Sequence, residues 1–283
     1  MSISVRRGGR DLAVSFSPFL DAWTEQAPYV PSLHSGDLGW QLRFPDAEQD
    51  GIFRLWLVGD EPVAVGYADT GVMRTAIAPA WLGSVELAEA MSPELDEMEY
   101  VDALSGTALR NQLLSQRWSA DPDPWVVLYR GLNRSEGELV DPYTRTIDGP
   151  ADVEARTAVQ RSAFSPGSTF APDLWERMAA GPSYDPRFEM VTWTPTGEAA
   201  AAATGWFGGP GRCAIFEPVG THRDHQRKGY GRRVNLAVMA ALARAGASGI
   251  RVHTPASNTA AVAAYESCGL RQVDWTVALM APR

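Results

Sequence analysis

At 283 residues the chain is near the limit of a single hydrophobic core and twice the commonest domain size, so two domains are expected. Its 45% hydrophobic and 21% charged residues exclude wholesale disorder. A net charge of -9 disfavours binding to nucleic acid or an anionic membrane and favours a cationic small molecule or basic peptide as partner.

No apolar run is long enough to span a bilayer, and residues 1–11 lack the apolar core of a signal peptide, so a cytoplasmic location is expected. Cys213 and Cys268 have no metal-ligand spacing and are expected to be reduced thiols.

In chain order, residues 53–67 read as two strands joined by a tight turn at Gly59 and Asp60. Residues 74–79 form a further strand, and residues 107–118 a helix. A strand at residues 125–129 follows, rich in β-branched and aromatic residues. Residues 133–142 are polar and full of turn formers, which places a linker there and divides the chain into domains 1–138 and 139–283.

The second half repeats the pattern, with a strand at 143–147, helices at 150–164 and 172–180, and a hairpin over 188–206 turning at Pro195, Thr196 and Gly197. A strand over 213–221 leads through a basic glycine loop into a helix whose Val234, Val238, Met239, Leu242 and Ala245 share one face, ended by Gly246. A short strand around Ile250 and Val252, a helix over 259–270 capped by Asn258, and a strand at 275–279 complete a mixed α/β domain. The helices 107–118 and 259–270, each followed by a Trp-bearing strand, echo one another and point to two related domains.

The chemistry lies between Phe216 and Arg232. Gly229 and Gly231 permit positive φ and close backbone approach, so N–H groups at the helix start can face a pyrophosphate, with Arg227, Lys228 and Arg232 adding charge. Glycines alone are equally those of a turn that begins a helix. Pro218 removes a ladder donor and predicts a bulge or splay beside Glu217. His222 and His225 have the spacing of a metal pair but no third ligand nearby, so no metal is expected. His253 could approach an acceptor or be a satisfied structural histidine.

Gln226–Gly231, taken with Asn258, Ala261, Tyr265 and Gly269, resembles the two signature motifs of the GNAT superfamily of acyl-CoA-dependent N-acetyltransferases, over residues 143–283. The tandem arrangement is similar in architecture to two-domain actinobacterial members typified by mycothiol synthase. Arg223 departs from the proline common there.

The resemblance implies an α/β (α+β) fold of tandem GNAT-like domains, each a mixed, mostly antiparallel central sheet flanked by helices. It implies acetyl-CoA as acyl-donor co-substrate, with pantetheine along Val219, Gly220 and Thr221. Its phosphates would lie on Gln226, Arg227, Lys228, Gly229, Tyr230, Gly231 and Arg232, and Asn258 and Ala261 would complete the cofactor-binding set. Tyr265 stands at the family's general-acid position. Glu217 is the candidate base, with a water relay as the alternative.

In the first half, Leu113 and Arg117 fall opposite Tyr265 and Gly269, and residues 81–91 carry two glutamates and no basic residue. That half is expected to be a degenerate GNAT-like domain without a cofactor loop, walling the acceptor pocket, with Asp37, Trp40 and Trp56 as candidates by analogy alone. The expected activity is acetyl transfer to a primary amine of a small molecule by direct attack in a ternary complex, in a monomer or homodimer. A protein or peptide amine, a longer acyl donor, and an acyl-CoA sensor without turnover remain alternatives.

Overall fold

Strands form where β-branched and aromatic residues alternate between glycine turns, and helices where apolar residues recur every three or four positions. The computed structural model describes residues 2–24, 33–134 and 141–282. The first half runs β1 (Ile3–Gly8), α1 (Arg10–Val14), α2 (Ser17–Trp23), α3 (Ser35–Gln41), α4 (Asp46–Gln49), β2 (Phe53–Val58) and β3 (Glu61–Asp69). It continues with β4 (Val72–Ile77), α5 (Val85–Met91), β5 (Tyr100–Asp102), α6 (Ala108–Ser115), β6 (Ser119–Ala120) and β7 (Trp125–Gly131). The second half runs β8 (Thr144–Thr146), α7 (Pro150–Ala163), α8 (Pro172–Ala179), β9 (Glu189–Trp193), β10 (Ala199–Trp206) and β11 (Cys213–Thr221). Then follow α9 (Tyr230–Ala245), β12 (Gly249–Pro255), α10 (Thr259–Ser267), β13 (Arg271–Thr276) and β14 (Leu279–Met280).

Two seven-stranded sheets result, with orders β1-β2-β3-β4-β5-β14-β6 and β8-β9-β10-β11-β12-β7-β13. Each is antiparallel apart from one parallel pair, β4 with β5 and β11 with β12. The two orders are the same except that the sixth strands are exchanged. Strand β7 of the first half lies between β12 and β13, and β14 lies between β5 and β6. The cores follow the strands: Val126 and Leu128 pack with the second core, and Leu279 with the first.

This corrects the sequence-derived division. The proposed cut at 138/139 lies outside the described residues, yet no single cut there separates two self-contained sheets, because β7 and β14 each sit in the other half's sheet. Alternating apolar residues identify a strand but not its neighbour, which is settled by tertiary packing. The expected strand at 275–279 is also two strands: Trp275 and Thr276 end β13, and Leu279 begins β14 in the other sheet.

The echo between halves is geometric as well. Arg117 (φ 71°) and Gly269 (φ 85°) both turn left-handed after their helices. The N–H of Trp118 bonds the Leu113 carbonyl (3.1 Å), as that of Leu270 bonds the Tyr265 carbonyl (3.2 Å).

Candidate active site

The site begins where β11 and β12 part. They pair in parallel only from Cys213 to Ile215 with Gly249 to Arg251. Against β10, Phe216 faces Gly205 while Val219 faces Ala203, so β11 holds one extra residue at Glu217–Pro218. This is the bulge anticipated from Pro218, which has no N–H for the ladder. The indole N–H of Trp206 donates to the Glu217 carbonyl at 2.5 Å, fixing the bulged backbone.

Below the splay lies a cavity of about 1300 Å³ walled by both halves. The second half contributes Phe216, Glu217, Val219, His253, Asn258, Ala261 and Tyr265. The first contributes Asp37, Trp40, Arg43, Arg74 and Asp102. Of the residues named by analogy, Asp37 and Trp40 therefore reach the cavity. Trp56 does not, being wholly buried in the first core.

Asn258 caps α10, its side-chain oxygen accepting from the Ala261 N–H at 3.2 Å. Tyr265 lies one turn beyond Ala261 and stacks on Phe216 with ring centroids 6.3 Å apart. Burial pushes its phenol well above the usual tyrosine range, aided by Cys268 and Glu217, so the hydroxyl keeps its proton at neutral pH.

Burial also raises the Glu217 carboxyl well above its ordinary value, reinforced by the charge of Asp37 and the hydrogen bond between the two groups. Burial pushes Asp37 upward too, but that hydrogen bond and the neighbouring His34 and His253 leave it below the ordinary carboxylate value. His253 is pushed down to about 4 by burial and by Arg251, so it is neutral at pH 7. The guanidinium of Arg43 is held over the rings of Trp40 (4.0 Å) and Phe44 (3.9 Å) and donates to the Trp40 carbonyl at 2.7 Å.

At the far end of β11, Gly220 lets α7 lie close, since a Cβ there would stand 2.8 Å from that of Ala163. Gly229 has φ 82° and a built Cβ would meet nothing within 4 Å. Gly231 is not left-handed, contrary to expectation. It is helical, and its missing Cβ admits the Thr221 hydroxyl, which would be 2.8 Å away. The second left-handed residue is Arg227, at φ 58°.

The N-terminus of α9 carries no side-chain cap. Arg232 Nε donates to the Ser267 carbonyl (3.0 Å), tying the loop to α10, and Lys228 Nζ donates to the Asp224 carbonyl (2.8 Å). Tyr230 packs edge-on to His225 and under Arg233. The rings of His222 and His225 lie 5.5 Å apart, tilted by 46°, and no group of three metal-ligating side chains occurs among the described residues.

Of the sequence-named residues, Glu217, Val219, Asn258, Ala261 and Tyr265 share the cavity. Gly220, Thr221 and Gln226 to Arg232 lie beyond its lining, on the same strand end and helix start. Arg43 and Arg74 were missed, because nothing in their local sequence marks a cavity wall.

Residues 157–270 match the acetyltransferase (GNAT) family model. No curated protein matches the chain. Among solved structures, a GNAT-family acetyltransferase from Colwellia psychrerythraea is 16% identical, with 100% of both chains covered and a TM-score of 0.63. A GCN5-related N-acetyltransferase from Sphaerobacter thermophilus is 18% identical, covering 98% of this chain and 94% of that one, with a TM-score of 0.57. A tandem GNAT protein from the clavulanic acid biosynthesis pathway is 12% identical over 99% and 98% of the chains, also at 0.57. At these identities the structures speak for the fold. Among the described residues no helix is long and apolar enough to cross a membrane. Together, the splayed strand pair with its loop and helix and the match over residues 157–270 identify that segment as a GNAT acetyltransferase domain, and the structural likenesses extend the fold over both sheets.

Proposed function

We propose that the chain moves an acetyl group from acetyl-CoA to a primary amine of a small molecule, by direct attack in a ternary complex. The observation that carries this reading is the meeting of Glu217 and Tyr265 on one cavity, at the strand that leads to an uncapped helix N-terminus. Acetyl-CoA would supply a thioester carbon open to attack and a pyrophosphate by which to be held.

The residues present fit that molecule. The start of α9 offers backbone N–H groups with no side chain competing for them, and Gly229 faces open space. Arg227, Lys228 and Arg232 place positive charge beside it. Beyond Ile215 the β12 side of β11 is unpaired among the described residues, so Val219, Gly220 and Thr221 can pair with an extended pantetheine arm. A β11 N–H there can stabilise charge developing on the carbonyl oxygen. Glu217 takes a proton from the acceptor, and Tyr265 gives one to the departing sulfur.

A small acceptor is favoured because Asp37, Trp40 and Arg43 of the first half wall the cavity that holds Glu217. We read the first sheet as having lost cofactor binding. The start of α5, the counterpart of α9, is capped by Ser84, whose hydroxyl accepts from Leu87 N–H at 3.1 Å, and Glu86 adds negative charge beside it.

The test is calorimetric titration of acetyl-CoA into wild type and Gly229→Asp, followed by thiol detection of CoA release with a panel of primary amines. The aspartate meets no atom within 4 Å and its backbone strain at φ 82° falls on the exposed loop alone, so circular dichroism is expected to match wild type. Wild-type binding lost in the variant, with amine-stimulated CoA release, is the expected result. Tight binding with no turnover on any amine would overturn the enzyme in favour of an acyl-CoA sensor, and no binding at all would overturn both.

A further inference from the structure

The general base of this site stands at a junction between the two halves. Helix α3 of the first half lies flat on β10 and β11 of the second. Gly36 and Gly39, on one face of α3, meet the Trp206 ring so closely that a Cβ at either would fall 2.4 Å from it. That indole donates to the Glu217 carbonyl. His34, at the N-cap of α3, is bonded to the Cys213 carbonyl at the start of β11 (3.0 Å). Between these anchors Asp37 is held by the His34 N–H at 2.6 Å and hydrogen-bonds the Glu217 side chain on the cavity wall. Two carboxyls in contact cannot share the site as independent charges, and one of them must hold a proton between them until the pH is raised.

We propose that Asp37 is a positioning residue for Glu217, so that the base acting on the acceptor amine is a carboxyl pair built across the two sheets, with Glu217 the member that reaches the substrate. This rests on the acetyl-transfer reading given above for its catalytic part, but the pairing itself does not. In the fully ionised pair, Glu217 takes one proton from the acceptor ammonium and is left hydrogen-bonded to the Asp37 carboxylate. The neutral nitrogen then forms the C–N bond as the C–S bond breaks. Sulfur leaves with the Tyr265 proton, the second proton lost from nitrogen restores Tyr265, and Glu217 releases its proton to water. The charge of Asp37 makes Glu217 a stronger base than a lone glutamate, closer in proton affinity to the amine it must deprotonate.

The other groups around the pair act in known directions. Arg43, following α3, and Arg74 on β4 face Glu217 with positive charge and oppose the rise. Tyr67 on β3 and Tyr265 on α10 are held neutral by burial. His34 and His253, the latter on β12, are likewise neutral at pH 7, being pushed down to about 3 and about 4. Asp102 on β5 lies beyond Arg74, with which it is paired at 3.3 Å. Asp37 is thus the neighbour whose removal lowers the proton affinity of Glu217.

The experiment follows the Glu217 carboxyl by carbon-13 NMR in full-length protein labelled at glutamate Cδ, with Glu217→Gln identifying the resonance. Wild type is expected to titrate above the ordinary glutamate value of about 4.3. Asp37→Asn, which keeps an oxygen for the His34 N–H, is expected to move that titration down by about one pH unit or more. Asp37→Ser serves as a second variant, and Asp37→Glu is expected to restore the high value. A Glu217 titration unmoved in folded Asp37→Asn and Asp37→Ser overturns the proposal. With an amine that supports turnover, the acid limb of kcat/KM is expected to move down in step with the resonance, and a limb that stays in place also overturns it. A shifted resonance in a protein that acetylates no amine supports the pairing and counts against the acetyl-transfer function alone.

Discussion

Tyr265 is the residue on which acid catalysis can be tested most directly. Its ring is buried against Phe216, so Tyr265→Phe removes one hydroxyl without opening a cavity. Loss of a general acid costs about 10²–10⁴ in rate. The variant is expected to bind acetyl-CoA as wild type does while kcat falls by about 10² or more, read by CoA release. Wild-type kcat would remove Tyr265 from the mechanism. Asn258 and Pro218 were legible from local physics, as a helix cap and a broken ladder, whereas Tyr265 was singled out through the resemblance of Asn258, Ala261, Tyr265 and Gly269 to a GNAT motif. The left-handed turn at Arg227 was not legible, since a side-chain-bearing residue at φ 58° leaves no mark in sequence. Nor was the contact of Asp37 with Glu217, because spacing along a chain says nothing about meetings between distant segments.

Among the elements, α3 shows how a short helix can be placed by what it lacks. Gly36 and Gly39 weaken its intrinsic helicity, yet they let its backbone approach the Trp206 ring. Alanine at either position would gain up to about 1 kcal/mol of helix propensity. Against this, the Cβ must displace an indole that is held by its bond to Glu217 and packed edge-on to Tyr184. Overpacking of this kind costs about 1–3 kcal/mol. Gly36→Ala and Gly39→Ala are therefore expected to be destabilised on urea denaturation, the reverse of what an exposed helical glycine would give. Unchanged or increased stability would show that the indole yields freely. The existence of most strands and of α6, α7, α9 and α10 could be read from periodicity and caps. The role of α3 could not, because paired glycines in a helix are also found where nothing approaches.

For the whole molecule, the exchanged sixth strands bind the two halves into one unit. Leu279 is fully buried in the first core although the chain reaches it after the entire second sheet. Leu279→Ala is expected to cost about 2–5 kcal/mol and to shift a single urea transition. Two separated transitions, only one of them moved, would show that the sheets unfold independently. The linker at residues 133–142 suggested a boundary because composition reports where a chain is polar, and β7 crosses back because its apolar faces are better covered between β12 and β13. The exchange also imposes an order on biosynthesis. A first domain ordinarily folds while the next is still being translated, but here the gap between β5 and β6 waits for Leu279–Met280. At about 5–20 residues per second that wait is on the order of 10 s or more. During it a nascent sheet exposes two unsatisfied strand edges to whatever chaperones or neighbouring chains reach it first.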